Sequence, residues 1–212
     1  MDYAKIQKLN ERLFFTVEDV GKLFSLKPNS ARVLCSRYQK RGIFIRVKNN
    51  FYVTESSWSV YEREDFYQIS NFLQVPSYIS FMTALFFYGV TTQVPKSYYE
   101  SASIKRSKEL IVDGVSFNFR KIKPEYYFGF KKKNDVFIAT PEKALIDSLY
   151  LYSFGRYSLD LAALDSGKLD RQKLKELIEV YPSKTKKTVR RKSYKNIKRD
   201  SLTKCKFFIF IN

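Results

Sequence analysis

The sequence predicts an α+β fold in two parts: a helical N-terminal part that ends in a β-hairpin, and a larger part that mixes short strands with helices. Three observations lead to this prediction. Apolar residues recur at helical spacing over residues 5–40, alternating runs flank Asn49-Asn50, and β-rich runs alternate with helical segments over residues 97–181. The chain has 212 residues, 44% of them hydrophobic, which is enough to bury a sizeable core.

The first two helices are predicted from apolar spacing and from one capping pattern. Ile6, Leu9 and Leu13 share one face over residues 5–13. Thr16, with Asp19 three positions later, resembles a capping box and begins the second helix. The apolar face of that helix comprises Val17, Val20, Leu23 and Phe24.

A third helix follows the break at Ser25-Leu26-Lys27. Pro28 is suited to its first turn, and Gly42 supplies its C-terminal stop. Its buried stripe is predicted to be Ala31, Leu34, Cys35 and Tyr38. We therefore expect Cys35 to be a core thiol rather than a reactive one.

The opposite face of the third helix is polar and basic, and the hairpin after it is basic as well. Three helices followed by such a hairpin form the winged helix-turn-helix layout, in which the third helix enters the major groove of DNA. The face predicted to meet base edges comprises Asn29, Ser30, Arg32, Val33, Ser36 and Arg37. The residues predicted to contact phosphates or the minor groove are Lys40, Arg46, Lys48, Asn49 and Asn50. The alternative is a small helical domain used for protein contacts.

The positive charge is concentrated at the two ends of the chain. The net charge is +18: residues 1–60 carry +6, residues 61–183 carry +2, and residues 184–212 carry +10. Lysine and arginine bind phosphates and release counterions, so this distribution favours a polyanionic partner such as nucleic acid. A basic protein without such a partner is the alternative.

Several function classes are weakened by what the sequence lacks. It has no histidine, which removes the usual general base and most zinc chemistry. Its two cysteines, Cys35 and Cys205, have no metal-ligand spacing. We find no apolar span of the roughly 20 residues that a membrane helix needs, and no secretory signal. We therefore expect a cytoplasmic protein with no cofactor, no metal and no membrane partner.

Residues 57–75 are predicted to form a helix that links the two parts. Trp58 and Tyr61 would pack the join between them. A short, very apolar core helix follows, capped by Ser80 and ended by Gly89.

The strands of the second part are predicted from β-rich runs and one turn. Pro95 closes the turn that precedes a strand over residues 97–104. Asp113-Gly114 joins two β-rich runs into a hairpin, and residues 135–139 form another short strand. We expect few strands, paired antiparallel, with the helices on one side.

The segment "IATPEKALIDSLYLY" places three charges in an apolar run. Thr140 and Pro141 predict a helix start, and Glu142 suits its first turn. Lys143 and Asp147 are four apart and predict an ion pair on the outer face of the helix. Glu142 and Asp147 are five apart and do not share a face, which argues against a catalytic pair. The inward face would hold Ala144, Leu145, Ser148, Leu149 and Tyr152.

Two more helices and a tail complete the prediction. Ser158 would cap one helix, and Asp170 would cap another before Pro182. Residues 184–199 hold nine basic and no acidic residues, predicting a solvated tail that binds polyanions without sequence preference. The terminal "FFIFI" has the composition of an edge strand that needs covering. The predicted divisions are residues 1–56, 57–75, 76–183 and 184–212.

Four ordered blocks together resemble one family. They are "KRGIFIRVKNNFYV", "YISFMTALFFYGVTTQVP", "KIKPEYYFGF" and "VFIATPEKALIDSLYL". Within residues 17–151 the chain resembles the AbiEi family of antitoxins and transcription regulators, from toxin–antitoxin and abortive-infection systems. It departs from the family pattern at Tyr88, where histidine is frequent, and in its basic, then apolar, C-terminal end.

The resemblance implies a DNA-binding repressor. Its partner would be double-stranded DNA, at inverted repeats in the promoter of its own operon. The second part would oppose a nucleotidyltransferase-like toxin, not necessarily through a stable complex. Three alternatives stay open: a plain winged-helix regulator, an RNA-binding adaptor, and a metal-dependent phosphoryl-transfer enzyme using Glu142 and Asp147.

Overall fold

The computed structural model describes residues 3–93 and 96–199, of which residues 192–199 are described by their backbone alone. The N-terminal part holds a small antiparallel sheet of order β1-β3-β2 packed on helices. Its elements are α1 (Tyr3–Leu9), β1 (Phe15–Thr16), α2 (Val17–Phe24), α3 (Pro28–Lys40), β2 (Phe44–Lys48) and β3 (Phe51–Thr54). The winged helix-turn-helix order of elements predicted from the sequence is present.

Local signals explain where these helices begin and end. The Thr16 hydroxyl accepts the Asp19 N–H at 3.2 Å, and the Asp19 carboxylate accepts the Thr16 N–H at 2.8 Å, so the predicted capping box is confirmed. Ser25 ends α2 in the left-handed conformation with φ 55°. Gly42, after α3, has φ +70°, which glycine adopts without strain.

The connection between the two parts is two helices rather than one. They are α4 (Glu55–Trp58) and α5 (Arg63–Leu73). The prediction of one helix over residues 57–75 was wrong because Glu62 and Asp65 form their own capping box and begin a new helix. Trp58 and Tyr61 pack at the join as predicted, and the Tyr61 hydroxyl donates to the Leu13 carbonyl at 2.6 Å.

The second part is built on a six-stranded sheet of order β6-β7-β5-β4-β9-β8. Its strands are β4 (Ser77–Ile79), β5 (Tyr98–Ser103), β6 (Lys108–Val112), β7 (Val115–Lys121), β8 (Phe130–Lys133) and β9 (Val136–Ala139). The α+β class is confirmed, but the expectation of antiparallel pairing was wrong in part. In each of the antiparallel hairpins β6–β7 and β8–β9 the second strand lies inward, so β7 pairs in parallel with β5 and β9 pairs in parallel with β4. Three buried residues with no apolar–polar alternation gave β4 no signal in the sequence.

The helices of the second part are α6 (Phe81–Phe87), α7 (Pro141–Ser153), α8 (Arg171–Glu179) and α9 (Ser183–Arg199). Ser80 precedes α6 but does not cap it; its hydroxyl donates to Asp147 instead, at 2.9 Å. The predicted helix after Ser158 is replaced by two 3₁₀ turns. There Asp160 and Asp165 each accept the N–H two residues ahead, which competes with helix formation.

The basic segment predicted to be a solvated tail begins with α9, which packs on α7 and α8. Thr185 is fully buried and Val189 is 6% exposed, so one face of this helix belongs to the core. Pro95 and the terminal "FFIFI" lie outside the described residues. Within the described ranges, no helix is both long and apolar enough to cross a membrane.

The hairpin β2–β3, hereafter the wing, contributes to two hydrophobic cores. Phe44 and Tyr52 pack into the core of the N-terminal part. Val47 and Val53 pack into the larger core around the six-stranded sheet. The two parts therefore share the wing, and the division into domains at residue 56 stays a prediction.

Candidate nucleic-acid interface

Helix α3 separates its buried residues from its polar ones. Ala31 and Cys35 are fully buried and Tyr38 is 6% exposed, whereas Leu34 is half-buried. Burial raises the pKa of the Cys35 thiol to about 11, in keeping with the predicted core thiol. The predicted reading face is wholly exposed and comprises Asn29, Ser30, Arg32, Val33, Ser36 and Arg37; Lys40, predicted to meet phosphates, is exposed on the same side.

The start of α3 is open to a ligand. Its N-cap residue, Lys27, forms no side-chain cap, and no acidic residue lies in the first turn. The first N–H groups of a helix carry partial positive charge and suit a phosphate. A shallow depression beside them is lined by Asn29, Ser30, Val33 and Arg37.

The wing places its predicted residues in three different settings. Arg46 is exposed, and its guanidinium donates to the Asn49 side chain at 2.8 Å. Lys48 lies against the second part, where its ammonium group donates to the Phe72 carbonyl at 3.4 Å and sits 4.8 Å from the ring centre. Asn50 takes the positive φ of 66° expected at the turn.

Asn50 contacts a carboxylate, that of Glu18, which the sequence did not predict to lie beside these residues. Its side-chain amide donates to Glu18 of α2 at 2.9 Å. This hydrogen bond lowers the pKa of Glu18, and the positive charge of Arg32 contributes in the same direction. Glu18 therefore keeps a negative charge beside the predicted reading face. The contact joins residues 32 positions apart, so no local signal could have revealed it.

Lys143 and Asp147 do form an ion pair, but the prediction that it lies on the outer face of α7 was wrong. Both side chains are fully buried. The Lys143 ammonium group donates to Asp147, to the Tyr78 hydroxyl at 2.9 Å and to the Tyr181 hydroxyl at 2.8 Å. All three of its N–H donors are thereby used.

The Asp147 carboxylate is equally well satisfied. It accepts from Tyr78 and Ser80 at 2.9 Å and from Tyr181 at 3.0 Å, besides Lys143. Burial lowers the pKa of Lys143 and raises the pKa of Tyr78. The cluster joins α7 to β4, to the residue before α6 and to the loop between α8 and α9.

Glu142 belongs to a different contact. It is 5% exposed and accepts the Asp170 N–H at 3.1 Å, which ties the start of α7 to the start of α8. Asp170 itself accepts the N–H groups of Gln172 and Lys173, as its predicted capping role requires. The two carboxylates of the enzyme alternative therefore bind different partners. Across residues 3–93 and 96–199, no group of three or more His, Cys, Asp or Glu is placed to hold a metal.

Another buried carboxylate, Glu100, had no sequence signal. Glu100 of β5 is 2% exposed, and it accepts from Tyr157 at 2.7 Å and from Arg120 at 3.2 Å. Burial raises its pKa, although the two donors act in the opposite direction.

Comparison with known proteins gives a likeness of fold. No protein-family model matches the sequence, and no curated protein matches it. The chain is similar to the crystal structure of the RV2827C protein from Mycobacterium tuberculosis, with a TM-score of 0.56. The two are 13% identical over 89% of this chain and 73% of that chain. At this identity the likeness establishes a shared α+β architecture, and it assigns no family.

Proposed function

We propose that this protein binds double-stranded DNA through α3 and the wing and represses the operon that encodes it. The observation that carries the proposal is the separation of faces on α3. One face packs into the core, while six polar or basic residues and the apolar Val33 stand exposed on the other, beside the wing. Helix-turn-helix proteins insert such a helix into the major groove.

The residues divide into two roles by length and charge. Asn29 and Ser30 are short and allow close approach at the start of the helix. Arg32 and Arg37 can each form two hydrogen bonds to a guanine edge. Lys40 and Arg46 would hold phosphates, which contribute affinity but no sequence preference.

Fluorescence anisotropy with the upstream promoter duplex tests this proposal. We expect Arg32→Ala and Arg37→Ala to weaken binding by about tenfold to a hundredfold, since a bidentate base contact contributes about 1–3 kcal/mol. Arg171→Ala, an exposed arginine of α8, is the matched control and should bind normally. Unchanged affinity in both α3 variants, with circular dichroism showing them folded, would refute the assignment.

The same proposal includes antitoxin activity, supported by the resemblance of four ordered blocks to the AbiEi family. The fourth block supplies α7 with the Lys143–Asp147 pair, and so lies in the core of the second part. We propose that this part opposes a nucleotidyltransferase-like toxin encoded by the neighbouring gene. Growth rescue on co-expression of the two genes would support this role. A toxin that stays lethal despite expression of the folded chain would contradict it.

A second candidate is an RNA-binding adaptor, favoured by the run of lysines and arginines along α9. Lysine-rich helices bind polyanions with little sequence preference and with steep salt dependence. Titrating promoter DNA and a structured RNA at several salt concentrations separates the two functions. We expect DNA to retain an advantage at high salt, whereas equal or stronger RNA binding would favour the adaptor.

A further inference from the structure

An apolar groove lies at the junction between the two parts of the molecule. Its volume is about 460 Å³, within the range of about 300–1,000 Å³ typical of small-molecule sites. Phe14 immediately precedes β1, and Phe72 lies in the last turn of α5. Phe130 comes from the edge strand β8 and Phe137 from its neighbour β9. The groove therefore offers aromatic surfaces from both parts.

Two residues that line this groove each carry a buried polar atom without a hydrogen-bond partner. These polar groups are the Nδ2 amide group of Asn71 and the hydroxyl of Ser77. Ser77 is 6% exposed. The other end of the Asn71 amide is engaged, since its Oδ1 accepts the Phe137 N–H at 2.6 Å. The unpartnered end is thus the donor end.

Such groups need an explanation, because buried polar atoms in folded proteins nearly always have partners. The Asn71 side chain is fixed by the hydrogen bond from the Phe137 N–H to its Oδ1. In this position its Nδ2 group has no acceptor within hydrogen-bond distance. A ligand that carries a hydrogen-bond acceptor could supply the missing partner of the Asn71 Nδ2 group. Both atoms are shielded from water, so the surrounding side chains must change rotamer to admit it, as is common at binding sites.

We propose that the groove binds a small, uncharged, planar aromatic molecule that carries a hydrogen-bond acceptor. Flat rings complement the stacked pair Phe14 and Phe72, whose centres are 4.3 Å apart. An acceptor such as a ring nitrogen or a carbonyl complements the Asn71 donor. The charge at the rim is balanced, because Asp135 pairs with Lys132 at 2.6 Å, so the groove offers no net charge to hold an ion.

The proposal is independent of DNA binding. The ligand contacts side chains from the N-terminal part and from the sheet, so it stabilises the junction whatever the reading face of α3 binds. Nuclear magnetic resonance of the full chain, with ¹⁵N labelling, can therefore test it without nucleic acid.

The probes are quinoline and benzamide, which accept hydrogen bonds, and indole, which is similar in size but has only an N–H donor. We expect quinoline and benzamide to shift the Asn71 side-chain amide and the Phe137 backbone amide. Indole should bind about fivefold more weakly, in line with the loss of one hydrogen bond. Absence of saturable shifts with quinoline and benzamide at millimolar concentration would overturn the proposal. Equal binding of indole would overturn the role of the Asn71 donor.

Two variants locate the site. Gln68→Trp places a large ring in the groove from a half-buried helix position and should abolish the shifts. Gln172→Trp, on the exposed surface of α8, is its control and should leave them intact.

Ser77→Ala separates a ligand role from a structural one. It removes a hydroxyl that has no partner, so the melting temperature should stay the same or rise. If the hydroxyl contacts the ligand, the same variant weakens quinoline binding by about fivefold. A lower melting temperature with unchanged quinoline affinity would show that Ser77 serves the fold alone. Binding that survives Gln68→Trp would show that the ligand sits elsewhere.

Discussion

Lys143 and Asp147 lie one turn apart on α7, both fully buried, and their ion pair is surrounded by the hydroxyl groups of Tyr78, Ser80 and Tyr181. A buried ion pair costs much desolvation, which only complete hydrogen bonding offsets. Here the lysine has three acceptors and the carboxylate has four donors. The arrangement fixes α7 against its neighbours rather than presenting charge to a substrate.

Removing one member of this pair should destabilise the protein strongly. Lys143→Met leaves Asp147 as an uncompensated buried charge and should lower the free energy of unfolding by about 3–5 kcal/mol. Urea denaturation measures the change, and the exposed Lys175→Met is the control. In a double-mutant cycle with Asp147→Leu we expect a coupling energy of about 1–3 kcal/mol. A coupling energy of zero would contradict the pairing.

The capping box at the start of α2 should contribute about 1 kcal/mol. Partial burial of Asp19 disfavours its charged form, but the hydrogen bonds from Thr16 and Arg12 outweigh this and lower its pKa below 3.8. Its stabilisation is therefore full above pH 3.8 and lost as the pH falls through the lowered pKa.

Asp19→Asn should accordingly reduce stability at neutral pH, and the gap to the wild type should narrow as the pH falls below about 3.8. Thermal unfolding across this range measures the gap. The exposed Glu11→Gln provides the comparison. A gap that does not change with pH would argue against the Asp19 contacts.

Glu100 should give the opposite pH dependence. Burial raises its pKa above 4.5, so the folded state holds its proton more tightly than the unfolded state. The resulting stabilisation is present below pH 4.5 and is lost as the pH rises through the raised pKa. Stability relative to Glu100→Gln should fall over that window, as followed by chemical denaturation. Glu176→Gln, on the exposed surface of α8, should show no such trend.

Glu18 should weaken DNA binding if α3 reads DNA as proposed. Its carboxylate stands beside Asn50 and Arg32, where it repels phosphates. Glu18→Gln removes that charge, and we expect affinity for the promoter duplex to rise about twofold to fivefold at low salt and less at high salt. Fluorescence anisotropy measures this, with Glu176→Gln as the control. Weaker binding by Glu18→Gln would mean that the carboxylate positions Asn50 for contact with DNA.

How much could be predicted from the sequence depended on the distance between the residues involved. The capping box joins positions three apart, and the exposed face of α3 follows from helical spacing, so both could be predicted. The burial of Lys143 could not, because its partners Tyr78 and Tyr181 lie 65 and 38 positions away. A lysine four residues from an aspartate is ordinarily a surface pair, and only the tertiary structure shows otherwise.

The groove between the two parts could not be predicted from the sequence, because the residues that line it are also far apart along the chain. Phe14, Asn71 and Phe137 come from three separate segments, and none belongs to a recognisable motif. The parallel strand pairs likewise depend on which strand of each hairpin lies inward, and β4, the partner of β9, has three residues that carry no periodic pattern.

Because the wing inserts side chains into both hydrophobic cores, the N-terminal part that we propose to bind DNA is not an exchangeable module. An isolated fragment ending near residue 56 would expose Val47 and Val53 to water, and a chimaera with a foreign second part would have to recreate their packing. Substitutions on the inner side of the wing must therefore preserve the packing of both hydrophobic cores. The exposed face of α3 contacts neither core and can vary without that loss of packing. If α3 reads DNA as proposed, new binding specificities would arise by substitution on this helix rather than by recombination of domains.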